Sequence, residues 1–143
     1  MTANEELQRR HSAFLVADIV EAKEAFTATA GTPFGEVMRF PIRVENESTS
    51  VELEVTFAHA LDGSVELIEA STGPFAPDLG LGFHHVGGIG SVDLDEAVER
   101  QARFGSLVDW RLFMGDRQFA VFFKPTALRP ARLEVMAPFM AEM

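Results

Sequence analysis

The groups in this chain best suited to chemistry are imidazoles and carboxylates, since the absence of cysteine removes thiolate ligands and disulfides. Two of the four histidines open similar runs of sequence. His11-Ser-Ala-Phe-Leu-Val-Ala-Asp18-Ile-Val-Glu21-Ala22 parallels His85-Val-Gly-Gly-Ile-Gly-Ser-Val-Asp93-Leu-Asp-Glu96-Ala97. Each passes from a histidine through an apolar stretch to Asp-x-x-Glu-Ala. Two glutamates recur as well, in Val65-Glu66-Leu67-Ile68 and Leu133-Glu134-Val135-Met136, where strand alternation sends the carboxylate to the face opposite its apolar neighbours. One His and one Glu thus occupy matching places in two halves of the chain. If those halves curve toward one another, His11, Glu66, His85 and Glu134 can meet in one cleft. Two neutral imidazoles and two carboxylates suit a divalent Zn, Ni, Co, Mn or Fe ion, with positions left for water or substrate. Taken singly, each residue has an ordinary explanation, because half-buried strands commonly turn Glu to solvent. The paired recurrence is what makes the four candidate ligands.

The elements that must position them follow the same duplication. Asp18 and Asp93 are suited to N-cap helices, with Glu21 and Glu96 three residues on, as a capping box requires. The apolar stretch before each cap reads as a strand. Ile19, Ala22 and Phe26 mark the buried face of the first helix, and Leu94, Ala97, Val98 and Ala102 that of the second, which Gly105 can end. Three strand-like runs follow each helix: 37–44, 51–58 and 64–70, then 107–114, 118–123 and 131–136. Asp62-Gly63 is a strong hairpin signal, and Gly115-Asp116 and the segment 125–130 supply the other turns. The order is βαβββ twice, with a Pro- and Gly-containing linker at 71–82. His11 to Asp18 spans seven residues and His85 to Asp93 eight, and the extra residue falls in Gly87-Gly88-Ile89-Gly90. Glycine there reads as a bulge, a close approach of backbone to ligand, or a simple loop.

Length and composition bound the rest. At 143 residues, just under half of them apolar and 13 of them Phe, the chain suits one domain with a real core. It is read as a single domain over 1–143, with module one at about 10–70 and module two at about 83–137. A net charge of −10 argues against nucleic acid and anionic membranes as partners, because both call for basic patches. No apolar run reaches bilayer-spanning length, and the polar N-terminus lacks the apolar core of a signal peptide, so the expected location is cytoplasmic. Trp110, Phe113, Phe119 and Phe122 are expected to line the sheet interior or pack on the helices. His59, beside the hairpin, reads as a surface or turn residue.

His11-x-x-x-x-Val16-x-Asp18, Val65-Glu66-Leu67-Ile68, Gly82-x-His84-His85, Asp93-Leu94-Asp95-Glu96-Ala97 and Leu133-Glu134-Val135 together resemble the vicinal-oxygen-chelate superfamily, from about residue 10 to 137. The subgroups most similar are glyoxalase I and methylmalonyl-CoA epimerase. The resemblance implies an α+β fold in which the two tandem βαβββ modules form a curved, partly open, eight-stranded barrel-like sheet with helices outside. It implies a metal held by His11, Glu66, His85 and Glu134. His85 matches better than His84, because family members place the ligand directly before an aliphatic residue, here Val86; His84 would then face away, toward the helix layer or a neighbouring loop. The epimerases usually carry Gln at the position of Glu66, and the glyoxalases Glu.

The activity implied is that of a metal-dependent isomerase or lyase. It would stabilise an enolate of a small carbonyl or acyl-thioester substrate, with Glu134 or Glu66 doubling as base, in a homodimer. The alternatives are a non-catalytic small-molecule binding protein of the bleomycin-resistance type and an Fe(II) dioxygenase. One departure concerns the base. The epimerases carry a catalytic Glu in a Glu-x-Gly-Val pattern, whereas this chain reads Glu45-Asn-Glu47-Ser-Thr-Ser-Val51, without the glycine. Glu45, Glu47, Glu52 and Glu54 are all near that place.

Overall fold

Asp18 and Asp93 cap their helices as the spacing predicts. The Asp18 carboxylate accepts from the Glu21 N–H at 3.0 Å, and that of Asp93 from the Glu96 N–H at 2.9 Å. The computed structural model describes residues 7–143, so the reading of the polar N-terminus lies largely outside the described residues. The first module comprises β1 (Gln8–Val16), α1 (Ile19–Ala30), β2 (Met38–Glu45), β3 (Ser50–His59) and β4 (Val65–Glu69). The second comprises β5 (Gly82–Ile89), α2 (Leu94–Ala102), β6 (Val108–Met114), β7 (Arg117–Phe123) and β8 (Leu133–Met136). Gly31, in the left-handed region, ends α1. Gly105 does not end α2: the helix closes at Ala102 and tightens into a turn in which the Gln101 carbonyl accepts from Phe104 and Ser106, and Gly105 only reverses the chain beyond it.

Within each module the first and last strands pair in parallel, β1 with β4 and β5 with β8, and the other neighbours are antiparallel. The modules join through β1–β5 and again through β2–β6, giving the strand order β1-β4-β3-β2-β6-β7-β8-β5. The sheet is therefore a closed barrel rather than a partly open one. Closure comes from the end of β2, where Arg43, Val44 and Glu45 register with Phe113, Leu112 and Arg111. Among the described residues it leaves no strand of the sheet with an unpaired edge.

Alternation along the strands sorts the core into three layers. Ile19, Ala22 and Phe26 of α1 pack on the outer face of the first module over Ala58 and Leu67. Leu94, Ala97 and Val98 of α2 pack on the second over Val121, Phe123, Leu133 and Val135. The third cluster contains no residue of α1 or α2 and fills the barrel, with Ala13, Leu15, Ile42, Val44, Ile68, Leu112, Phe119 and Phe122 at its centre and Trp110 against it. Phe113 instead lies under the Arg43 guanidinium, 4.5 Å from ring centroid to Cζ. No helix among the described residues is long and apolar enough to cross a membrane.

The linker is more than a crossing. It forms two 3₁₀ turns, Gly73–Phe75 and Pro77–Leu79, and the first is buried in the barrel. Phe75 is 2% exposed and belongs to the interior cluster. Gly73 has φ +61°, and a Cβ there would lie 3.1 Å from Val44 Cγ2, with Leu53 and Trp110 close behind. Only a residue without a side chain enters at that point without displacing the core.

Candidate metal centre

Four neighbouring strands of the barrel, in the order β4, β1, β5, β8, each turn one polar side chain inward. Glu66 points away from Leu67, which packs under α1, and Glu134 points away from Leu133 and Val135, which pack under α2. The registers make the arrangement nearly two-fold. Glu66 and His85 are both level with Ala13, and Glu134 and His11 are both level with Gly87. The residue two places after each histidine, Ala13 or Gly87, thus lies between a His and a Glu on the same inward face. Gly87 has little room: a Cβ there would sit 3.0 Å from Glu134 Cβ and 3.1 Å from His11 Cε1. The glycine-rich stretch of β5 is therefore a close approach of backbone to these side chains rather than a loop, and it lies opposite a bulge of β1, since the register slips between the Gln8–Ile89 and His11–Gly87 pairs.

Two bulges interrupt the β1–β5 pairing, and both immediately precede a histidine. The β1–β5 register slips between Gln8 and His11, where Arg9 adopts φ +50°, and again between Ala13 and Phe14, where His84 is the extra residue of β5. The second bulge brings His84 and His85 to the same side of the strand. His84 is thus buried beside the interior rings of Phe75 and Phe122 rather than turned to the helix layer, and of the expected neighbours it meets the linker. Each bulge gives the following histidine a partner for its Nδ1. The Arg9 carbonyl lies 3.3 Å from His11 Nδ1, and His84 Nδ1 lies 2.7 Å from His85 Nδ1.

Both Nε2 atoms face a common point. They are 3.3 Å apart; Glu134 Oε1 is 3.5 Å from His11 Nε2 and 3.4 Å from His85 Nε2, and Glu66 Oε1 is 3.7 and 3.8 Å from them. His11, His85 and Glu134 form the tightest group, each offering an atom within 4.8 Å of the others. Ligands held at 2.0–2.2 Å from a tetrahedral ion would stand roughly 3.3–3.6 Å apart. The donor set and its spacing therefore fit a divalent cation. His85 is fully buried and Glu134 is 7% exposed, so the donors are shielded from bulk water.

The charges are mutually dependent. Burial opposes a charge on His11, but the Glu134 hydrogen bond and the fields of Glu66 and Glu134 outweigh it and raise its pKa to about 9. Burial likewise opposes the Glu134 carboxylate, yet His11 and His85 close beside it hold it well below the usual carboxylate range. His84 is pushed down to about 4 by burial and by the neighbouring His85.

His59 is the residue that sequence reasoning missed. It ends β3 directly opposite Glu66, and its Nε2 donates to Glu66 Oε2 at 2.7 Å. Its side chain is about half exposed, so it connects the inner carboxylate to solvent. A signal existed: a two-residue turn at Asp62-Gly63 dictates that 59 faces 66. The four glutamates near the expected catalytic Glu do not join the group. Glu52 and Glu54 alternate with the inward Val51, Leu53 and Val55, Glu45 is bonded by Arg43 at 2.7 Å beside the inward Val44, and Glu47 is exposed in the β2–β3 turn.

A closed, mixed eight-stranded barrel built from two βαβββ modules, with inward His and Glu pairs, is the vicinal-oxygen-chelate fold. Solved structures with this fold include methylmalonyl-CoA epimerases. That of Mycobacterium tuberculosis is 17% identical, covers 100% of this chain and 97% of its own, and superposes with a TM-score of 0.59. A variant of the Streptomyces coelicolor enzyme in complex with 2-nitronate-propionyl-CoA is 18% identical, covers 92% of this chain and 95% of its own, with a TM-score of 0.55. A hypothetical protein of Bacillus halodurans is also 18% identical, covers 94% and 95%, and gives 0.53. At these identities the likeness is one of fold. No family model and no curated protein matches the sequence.

Proposed function

We propose that the protein is a metal-dependent isomerase or lyase that labilises a C–H bond beside a carbonyl, with an acyl thioester as the favoured substrate class. The observation that carries this reading is the convergence of His11, Glu66, His85 and Glu134 on one point, at separations suited to a single divalent ion. Support for the substrate class comes from the similar epimerase structures, which hold methylmalonyl-CoA or 2-nitronate-propionyl-CoA. The bound ion would supply Lewis acidity toward the substrate carbonyl oxygen.

The chain's own groups divide the remaining work. His11 and His85, buried and anchored at Nδ1, fix the centre. Glu134 is held ionised between the two rings and serves as ligand and charge balance. Glu66 is the better base, because its second oxygen is bonded by His59, and that half-exposed ring orients the carboxylate and links it to solvent. With none of Glu45, Glu47, Glu52 or Glu54 turned inward, the scheme is closer to the glyoxalase type, in which a ligand carboxylate takes the proton. All four donors come from one chain, so a homodimer, if formed, is not needed to complete the centre. Action on small molecules in the cytoplasm, by one domain spanning the chain, completes the reading.

The test is metal quantification on the purified protein and on His85→Ala, followed by solvent deuterium wash-in at the carbon beside the carbonyl across acyl-thioester and hemithioacetal substrates. Stoichiometric Zn, Ni, Co or Mn, lost in the variant, and metal-dependent deuterium incorporation are expected. Equal metal in both proteins, or exchange indifferent to chelator, would overturn the proposal.

A further inference from the structure

His84 is a buried imidazole with no task in that chemistry. Its Nε2 lies 2.6 Å from the Pro74 carbonyl oxygen, in the linker turn inside the barrel, and its Nδ1 lies 2.7 Å from His85 Nδ1. A carbonyl can only accept, so His84 Nε2 carries a hydrogen. A contact of 2.7 Å between two ring nitrogens needs one hydrogen between them. Placed on His84, that hydrogen would make the ring a cation packed against Phe75 and Phe122, at centroid distances of 5.5 and 5.6 Å, with no carboxylate partner at salt-bridge distance among the described residues. An unpaired charge in such surroundings is costly. The hydrogen therefore belongs to His85.

We propose that His84, itself held by the Pro74 carbonyl, is a positioning residue that locks His85 in the Nδ1–H tautomer and leaves the Nε2 lone pair facing His11 and Glu134. The Arg9 carbonyl likewise holds a hydrogen on Nδ1 of His11, through a backbone acceptor. The two modules thus reach one outcome by different means, each from a bulge placed just before the histidine. Partners of this kind fix ring orientation and ligand basicity in metal sites. The tautomer assignment stands without a metal, while its purpose rests on the metal-centre reading above.

Long-range ¹H–¹⁵N spectra of the metal-free full chain near neutral pH test the assignment directly. The expected pattern has a hydrogen on Nδ1 of His85 and none on Nδ1 of His84; a bare Nδ1 on His85 overturns the proposal. Zinc titration then compares His84→Phe, which keeps a ring but no nitrogen, with His84→Asn, which keeps an acceptor near the Nδ1 position. Affinity should fall about 10- to 100-fold in the first, with His85 released into mixed tautomers, and largely recover in the second. If His84→Phe binds zinc as the parent does, with the His85 tautomer unchanged, the lock does not exist. Should that variant fail to fold, the parent spectrum and His84→Asn still decide. A parent protein that binds no zinc but protonates His85 at Nδ1 upholds the lock and rejects the metal centre.

Discussion

His59 and Glu66 face each other across the β3–β4 hairpin, and their 2.7 Å hydrogen bond ties the innermost carboxylate of the first module to a ring that reaches solvent. Replacing His59 by Ala removes the bond but none of the donors around the common point. Metal content is expected to stay stoichiometric while deuterium wash-in slows by about 10²-fold or more, the scale of a general acid–base contribution. Parallel loss of metal and rate would instead assign His59 to metal retention.

Gly87 is the point at which the two modules press most closely on the centre. Gly87→Ala puts a methyl group about 3 Å from Glu134 and His11, so both must shift. Overpacking of this kind costs about 1–3 kcal/mol. A lower thermal midpoint and at least tenfold weaker zinc binding are expected, whereas Ala at Gly35, where the added carbon would meet only the His59 carbonyl oxygen at an ordinary 3.7 Å, should leave zinc binding unchanged. Unaltered zinc affinity in Gly87→Ala would contradict the close approach.

Metal uptake should release protons. His11 in the metal-free protein holds its proton up to about pH 9, and a cation must displace it. Zinc affinity should therefore climb with pH from below neutrality toward 9 and level off above. The stability of the metal-free protein runs the other way. Because the folded-state pKa of His11 lies above its ordinary value of 6.5, the contribution of the charged ring is fully present below 6.5 and is lost as pH rises through about 9. Calorimetry in buffers of different ionisation enthalpy measures the proton release, and thermal melts with and without zinc measure the second effect.

Truncating Glu134 separates ligand from base. Glu134→Ala leaves two imidazoles and Glu66, so zinc binding should weaken by orders of magnitude while the barrel still forms around Leu133 and Val135. Circular dichroism like that of the parent, together with lost zinc, is the expected pair of results. Retained zinc at parental affinity would remove Glu134 from the ligand set.

Much of this was readable from residue order because its physical basis is local. Period-two alternation around Glu66 and Glu134 gave their inward direction, the Asp-x-x-Glu pattern gave both helix starts, and the His-to-Glu recurrence gave the pseudo-symmetry. What escaped reading depends on contacts between distant segments. His84 breaks the alternation that should have turned it away from His85, because a bulge is a property of the β1–β5 pairing rather than of β5 alone. Closure of the barrel depends on β2 meeting β6, about 70 residues away in sequence. The Asp62-Gly63 turn does encode the His59–Glu66 pair, and the small residue two places after each histidine does encode the crowding at the centre. Both signals become legible only once strand register is considered.

The seating of Phe75 inside the barrel bears on how a duplicated protein stays one object. The tether between the halves is itself a structural plug, so neither half can be cut out with its core intact. Exchange of halves between two copies would have to unseat that ring from the interior. The link between the two modules thus acts as a wedge that holds them in register.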